Sequence, residues 1–120
     1  MDQGKINHRI LSFKYALEGL MSAIKEEPNL KIHFFVASLV LIVSYLLKIS
    51  RRDWLMIIIL IGFVLAVELT NTAIEAIVDG FTNREHPKAK LAKDISAGAV
   101  LVVAATSAVV GIIIFLPYLR

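Results

Sequence analysis

The chain has 120 residues, thirteen Lys and Arg, ten Asp and Glu, and no cysteine. Hydrophobic residues make up 58% of it, above the roughly 45–50% of ordinary soluble domains, and a single domain of this size has too little interior to hide them. These figures exclude a disordered chain, a collagen, a disulfide scaffold and cysteine chemistry, and a formal charge of +3 is too small to imply a nucleic-acid partner.

The first element is amphipathic. Ile10, Phe13, Leu17, Leu20, Met21 and Ile24 follow an i, i+3, i+4, i+7 spacing, with Lys14, Glu18 and Lys25 on the other side. This pattern predicts a helix over 6–27 that lies on a membrane surface. Pro28 disfavours helical geometry at Glu27, so the chain should bend there. Three apolar runs follow. Residues 32–47 carry no formal charge apart from a titratable His33, and Lys31 and Lys48 flank them. Residues 54–67 are uncharged, and the apolar pattern continues to Val78 with Glu68, Asn71 and Glu75 inside it. Residues 95–119 carry no charge at all. A spanning helix needs about 20 mostly apolar residues. The chain therefore reads as an all-α integral membrane protein, one membrane domain over 1–120 with transmembrane helices near 31–48, 53–79 and 94–117.

Charge sets the expected orientation. Lys5, Arg9, Lys14, Lys25 and Lys31 precede the first span, and Arg84, Lys88, Lys90 and Lys93 lie between the second and third. These nine oppose four elsewhere: Lys48, Arg51, Arg52 and Arg120. The positive-inside rule puts the N-terminus and the second loop in the cytoplasm. In that loop, Asp79-Gly80 predicts a helix end, with Gly80 able to take the left-handed position, and Pro87 suits the first turn of the next helix. Trp54 reads as an interface anchor, and Arg51-Arg52 as a solvated loop pair.

The second span carries the chemistry. Glu68, Asn71, Glu75 and Asp79 fall at about 0°, −60°, −20° and +20° around a helix, with Thr72 near +40°. A charge at the centre of a spanning helix costs about 2.5–3.5 kcal/mol on insertion scales. Polar glue between helices explains one such residue, whereas four on one stripe point to a site. The stripe runs about 16 Å, from within the membrane to its cytoplasmic surface. That suits a reaction joining a lipid headgroup to a cytoplasmic solute. Carboxylates with a lysine suggest a divalent metal and phosphate. The chain has no P-loop and no Gly-x-Gly-x-x-Gly, so a nucleotide site would be of another kind.

Glu68-Leu-Thr-Asn71-Thr-Ala-Ile-Glu75-Ala-Ile-Val-Asp79, then Ala89-Lys-Leu-Ala92-Lys93-Asp94 and Gly98-Ala-Val, resemble the signature of the small prokaryotic diacylglycerol kinase family. Phe13-x-Tyr15-Ala16-x-x-Gly19 and Glu27-x-Asn29-x-Lys31-Ile32-His33 fit as well. The last of these, with Asn71-Thr72 and Gly111-Ile-Ile-Ile-Phe115-Leu-Pro117, is most similar to the Gram-positive branch associated with undecaprenol kinase. The resemblance implies a homotrimer with active sites shared between subunits, in the bacterial cytoplasmic membrane. It implies ATP, with Mg2+ as cofactor.

Carried over by residue, the resemblance makes Glu68 the general base and places Glu27 and Glu75 on the metal. It puts ATP against Tyr15, Glu27, Glu75, Arg84, Glu85, His86, Lys93 and Asp94. Asn71 and Asp79 would support the stripe, and Glu68 and Ala97 would meet the lipid. Two positions depart from the diacylglycerol branch: Ala97 replaces a serine, and His33 replaces an acid. Both bear on lipid choice more than on kinase chemistry. The expected activity is phosphorylation of a lipid hydroxyl, with undecaprenol as acceptor and diacylglycerol as the alternative. A small transporter is a further reading, since intramembrane glutamates also mark those.

Overall fold

In the computed structural model, which describes residues 2–83 and 85–120, four helices follow one another. These are α1 (Gln3–Glu26), α2 (Pro28–Leu46), α3 (Arg51–Phe81) and α4 (Pro87–Phe115), closed by a 3-10 turn over Leu116–Leu119. No strand occurs among the described residues. The last three helices are long and apolar enough to cross a membrane.

Each helix start has a local cause. Asp2 Oδ1 accepts the N–H of Gly4 at 3.1 Å and caps α1. Glu27 is extended, as a residue before proline must be, and Pro28 then opens α2 where its missing N–H costs nothing. Ser50 Oγ accepts the N–H of Asp53 at 3.2 Å and caps α3. Asp53 in that first turn complements the helix dipole. Arg51 and Arg52, expected in a loop, are instead the exposed first turn of α3.

The second connection also departs from expectation. Gly80 stays helical, α3 continues to Phe81, and Thr82 ends it in extended geometry with its N–H on the Val78 carbonyl. Glycine permits a left-handed end without requiring one, and no described glycine has positive φ. The left-handed residue is Lys48, with φ 52°. There the N–H of Lys48 bonds the Tyr45 carbonyl and the N–H of Ile49 bonds the Ser44 carbonyl. This pair of bonds is a Schellman ending, and Ile49 is buried behind it.

The helices are not equally packed. α3 makes its largest contact with α4 and a smaller one with α2, while α1 touches α2 and α3 lightly. The α2–α3 turn is tight, so these helices run antiparallel. Ile49, Ile57 and Ile114 form a buried cluster at the turn, with Trp54, Phe115 and Tyr118 packed against it. A polar clasp closes this end. Tyr118 Oη donates to Asp53 Oδ2 and accepts the N–H of Ser50 at 2.9 Å.

Above the clasp, α2, α3 and α4 enclose an apolar groove of about 480 Å³ that runs from His33 to Leu119. α1 buries no residue at all. Phe13 (69% exposed) and Ile10 (62%) stand on its open face, so something apolar must cover them.

Two stability changes are expected. Tyr118→Phe should lower the unfolding free energy by about 1.5–3 kcal/mol, the scale of one charge-assisted hydrogen bond. Lys48→Gly should raise it by about 1 kcal/mol by removing the left-handed cost of a side chain. Thermal unfolding in one detergent, followed by circular dichroism, would check both directions.

Candidate active site

The stripe on α3 is built from its buried end outward. Glu68 is 2% exposed and Asn71 6%; Glu75 is half-buried and Asp79 is exposed. Such burial of a carboxylate demands a partner. His33 on α2 supplies it, with Nε2 at 3.5 Å from Glu68 Oε2. One turn on, Asn71 Nδ2 donates to Glu75 Oε1 at 3.4 Å. At the far end Lys93 Nζ on α4 donates to Asp79 Oδ1 at 2.8 Å. Its neighbours Lys90 and Asp94 pair with each other. Three polar pairs therefore lead from inside the bundle to its loop end, each drawing on a different combination of helices or turns.

The His33–Glu68 contact also fixes the register between α2 and α3. Glu27 lies six residues before His33, about 9 Å along α2. Glu75 lies seven residues after Glu68, about 10 Å along α3. Because the helices are antiparallel, both displacements point the same way. The two carboxylates thus reach one depth on neighbouring helices. Glu27 sits at the α1–α2 bend and is half-buried.

This donor set fits a hydrated magnesium ion better than a closed metal cage. No three His, Cys, Asp or Glu side chains cluster to hold a metal among the described residues. Magnesium, however, commonly takes one or two carboxylates, keeps several waters and leaves the rest to phosphate. Asn71 Oδ1 is buried beside Glu75 and accepts no hydrogen bond among the described residues. Thr72 Oγ1 is in the same condition. Both are oxygen acceptors placed for a water or a further protein group.

The other expected residues are more scattered. Tyr15 is exposed on α1, at 62%, and Glu85 is exposed in the α3–α4 connection. His86 caps α4, its Nδ1 accepting the N–H of Lys88 at 3.2 Å. Arg84 lies outside the described residues. Ala97 is exposed on α4, next to the buried Ser96. In the sequence His33 stands out as a titratable residue in an uncharged run, as the end of the Glu27-to-His33 motif and as a departure that bears on lipid choice.

Comparison with known proteins places the whole chain in one family. A family model described as prokaryotic diacylglycerol kinase matches residues 14–115. The chain is 42% identical over 117 residues to an undecaprenol kinase of Bacillus subtilis, covering 98% of this chain and 95% of the relative. It is 31% identical over 97 residues to a diacylglycerol kinase of Haemophilus influenzae, with 81% and 82% of the two chains covered. A Synechocystis diacylglycerol kinase is 35% identical over 90% of this chain, which spans 62% of that relative. With a match running from the surface helix to the end of the last span, and the acid stripe at its centre, the chain belongs to the prokaryotic diacylglycerol kinase family of multi-pass membrane lipid kinases.

Proposed function

We propose that this protein transfers the γ-phosphoryl group of ATP to the hydroxyl of a membrane lipid, with undecaprenol as its acceptor and diacylglycerol as the alternative. The observation that carries the reading is the buried Glu68 inside a membrane-spanning helix, joined through the stripe to Lys93 at the loop end. A base for a lipid hydroxyl has to sit within the bilayer, and a nucleotide site has to reach water. The preference for undecaprenol rests on the near full-length likeness to the Bacillus subtilis protein of that name.

Glu68 takes the proton as the lipid oxygen attacks the γ-phosphorus. The bond from that phosphorus to the bridging oxygen breaks, and ADP leaves. Lys93 and Asp94 meet the nucleotide, together with Tyr15 and the connection around Glu85 and His86. Glu27 and Glu75 would hold Mg2+, which when bound supplies positive charge to the phosphate oxygens. Asn71 holds Glu75 in place, Asp79 holds Lys93, and Ala97 lies beside the lipid.

Assembly belongs to the same proposal. The whole chain forms one membrane domain, and three copies share their active sites. The uncovered apolar face of α1 supports a neighbour at that surface. The protein sits in the bacterial cytoplasmic membrane with its N-terminus inside, in keeping with the lysine and arginine distribution.

A purified-protein assay with labelled ATP and each lipid tests the acceptor. Labelling of diacylglycerol with none of undecaprenol would reverse the preference. Glu68→Gln should cut kcat by about 100-fold or more, the scale of a lost general base, with the trimer intact by native mass measurement. Near-normal turnover would remove Glu68 from that role. Glu27→Gln and Glu75→Gln should weaken use of Mg-ATP and be partly rescued by raised magnesium, whereas Glu68→Gln should not. Superimposable magnesium titrations for wild type and both variants would end the metal assignment.

A further inference from the structure

Glu68 has two carboxylate oxygens, and only one of them faces His33. Oε2 lies 3.5 Å from the imidazole Nε2. The nearest amide on the same helix, Asn71 Nδ2, is already directed at Glu75. A carboxylate left this dry needs a donor, and α2 provides one. His33 also belongs to a second feature. It is the polar head of the apolar groove between α2, α3 and α4, whose walls below it are Val36, Ala37, Val64 and Leu65. A hydrocarbon chain lying in that groove would bring its terminal hydroxyl to His33, whose Nε2 lies 3.5 Å from Glu68 Oε2.

We propose that His33 is a positioning residue for the transfer, holding Glu68 Oε2 so that Oε1 is presented to the lone hydroxyl of a lipid lying along the groove. This rests on the kinase reading above and adds to it the residue that aims the base. With its proton on Nε2 the imidazole donates to Oε2 and fixes the carboxylate plane. The separation of 3.5 Å is longer than a tight hydrogen bond, as catalytic contacts often are before substrate arrives. Closure by a few tenths of an ångström, about 0.5 Å, brings it into the normal range. A side chain without a donor at position 33 would leave the carboxylate free to rotate towards Asn71 and away from the groove.

The test is a comparison of His33→Leu and His33→Gln in lipid nanodiscs, with undecaprenol and Mg-ATP varied separately. Leucine removes the donor, and glutamine can restore an N–H near the same place. Expected for His33→Leu is a kcat about 10- to 100-fold lower, the effect of misaligning a reacting group, with KM for Mg-ATP within about twofold of wild type. His33→Gln should recover to within about fivefold of wild type. In a Glu68→Gln background, His33→Leu should cost less than about twofold more, because its effect passes through Glu68. Normal turnover by His33→Leu, equal losses in both variants, or a fully additive loss in the double variant would each overturn the proposal. Where His33→Leu fails to assemble by native mass measurement, His33→Ala takes its place in the same comparison. A wild type that labels only diacylglycerol would defeat the acceptor assignment, and the His33 series is then read with that lipid.

Discussion

The structure depends on one expensive act, the placement of a carboxylate inside a membrane-spanning helix. Glu68 is almost wholly withdrawn from its surroundings, and insertion of such a group alone is opposed by several kcal/mol, about 2.5–3.5 on insertion scales. Its neighbours answer that cost in sequence. His33 comes from α2 to face it, Asn71 extends the polar surface on α3, and Glu75 accepts from Asn71. The stripe then opens towards water at Asp79 and Lys93. A graded path of this kind lets a buried acid stay within reach of a charged, hydrated molecule without the whole helix becoming hydrophilic.

Most of the remaining chain is committed outward. The buried apolar residues are few: Leu30, Ile49, Ile57, Ala89 and Ile114. In water so small a core would not hold 120 residues together. In a bilayer the apolar exterior is already in a matching solvent, and packing and hydrogen bonds decide the arrangement. This explains why the best-made part of the bundle lies at the α2–α3 turn, where Ile57 and Ile114 pack beneath the Tyr118 clasp. The loop end carries the charges, among them the Lys93–Asp79 pair.

Much of this was legible from residues alone. Helix order follows from gaps between charges, and the stripe follows from the 3.6-residue period applied to Glu68, Asn71, Glu75 and Asp79. What periodicity cannot supply is the partner across a contact. His33 and Glu68 are 35 residues apart, as a difference of their numbers, and nothing local to either names the other. The same holds for Tyr118 and Asp53. Local rules also misplaced two residues. Gly80 offered a left-handed ending that α3 did not need, and Lys48 took that conformation although no glycine rule points to it. In both cases hydrogen bonding at the helix end decided the outcome, and several residue types can satisfy it.

The turn at Leu47–Ser50 has a role beyond joining two helices. From it, α2 rises about 20 Å to His33 and α3 about 26 Å to Glu68. The two arms must arrive side by side and face to face. The Schellman bonds lock one arm, and the Ser50 cap with the Tyr118 clasp locks the other. An added residue in α3 just past that lock would turn everything beyond it by about 100°. Glu68 would then point away from His33, although no atom of the site had been altered. The turn therefore sets, from the far end of both helices, whether His33 and Glu68 meet, and a change of length there is felt at the other end of the bundle.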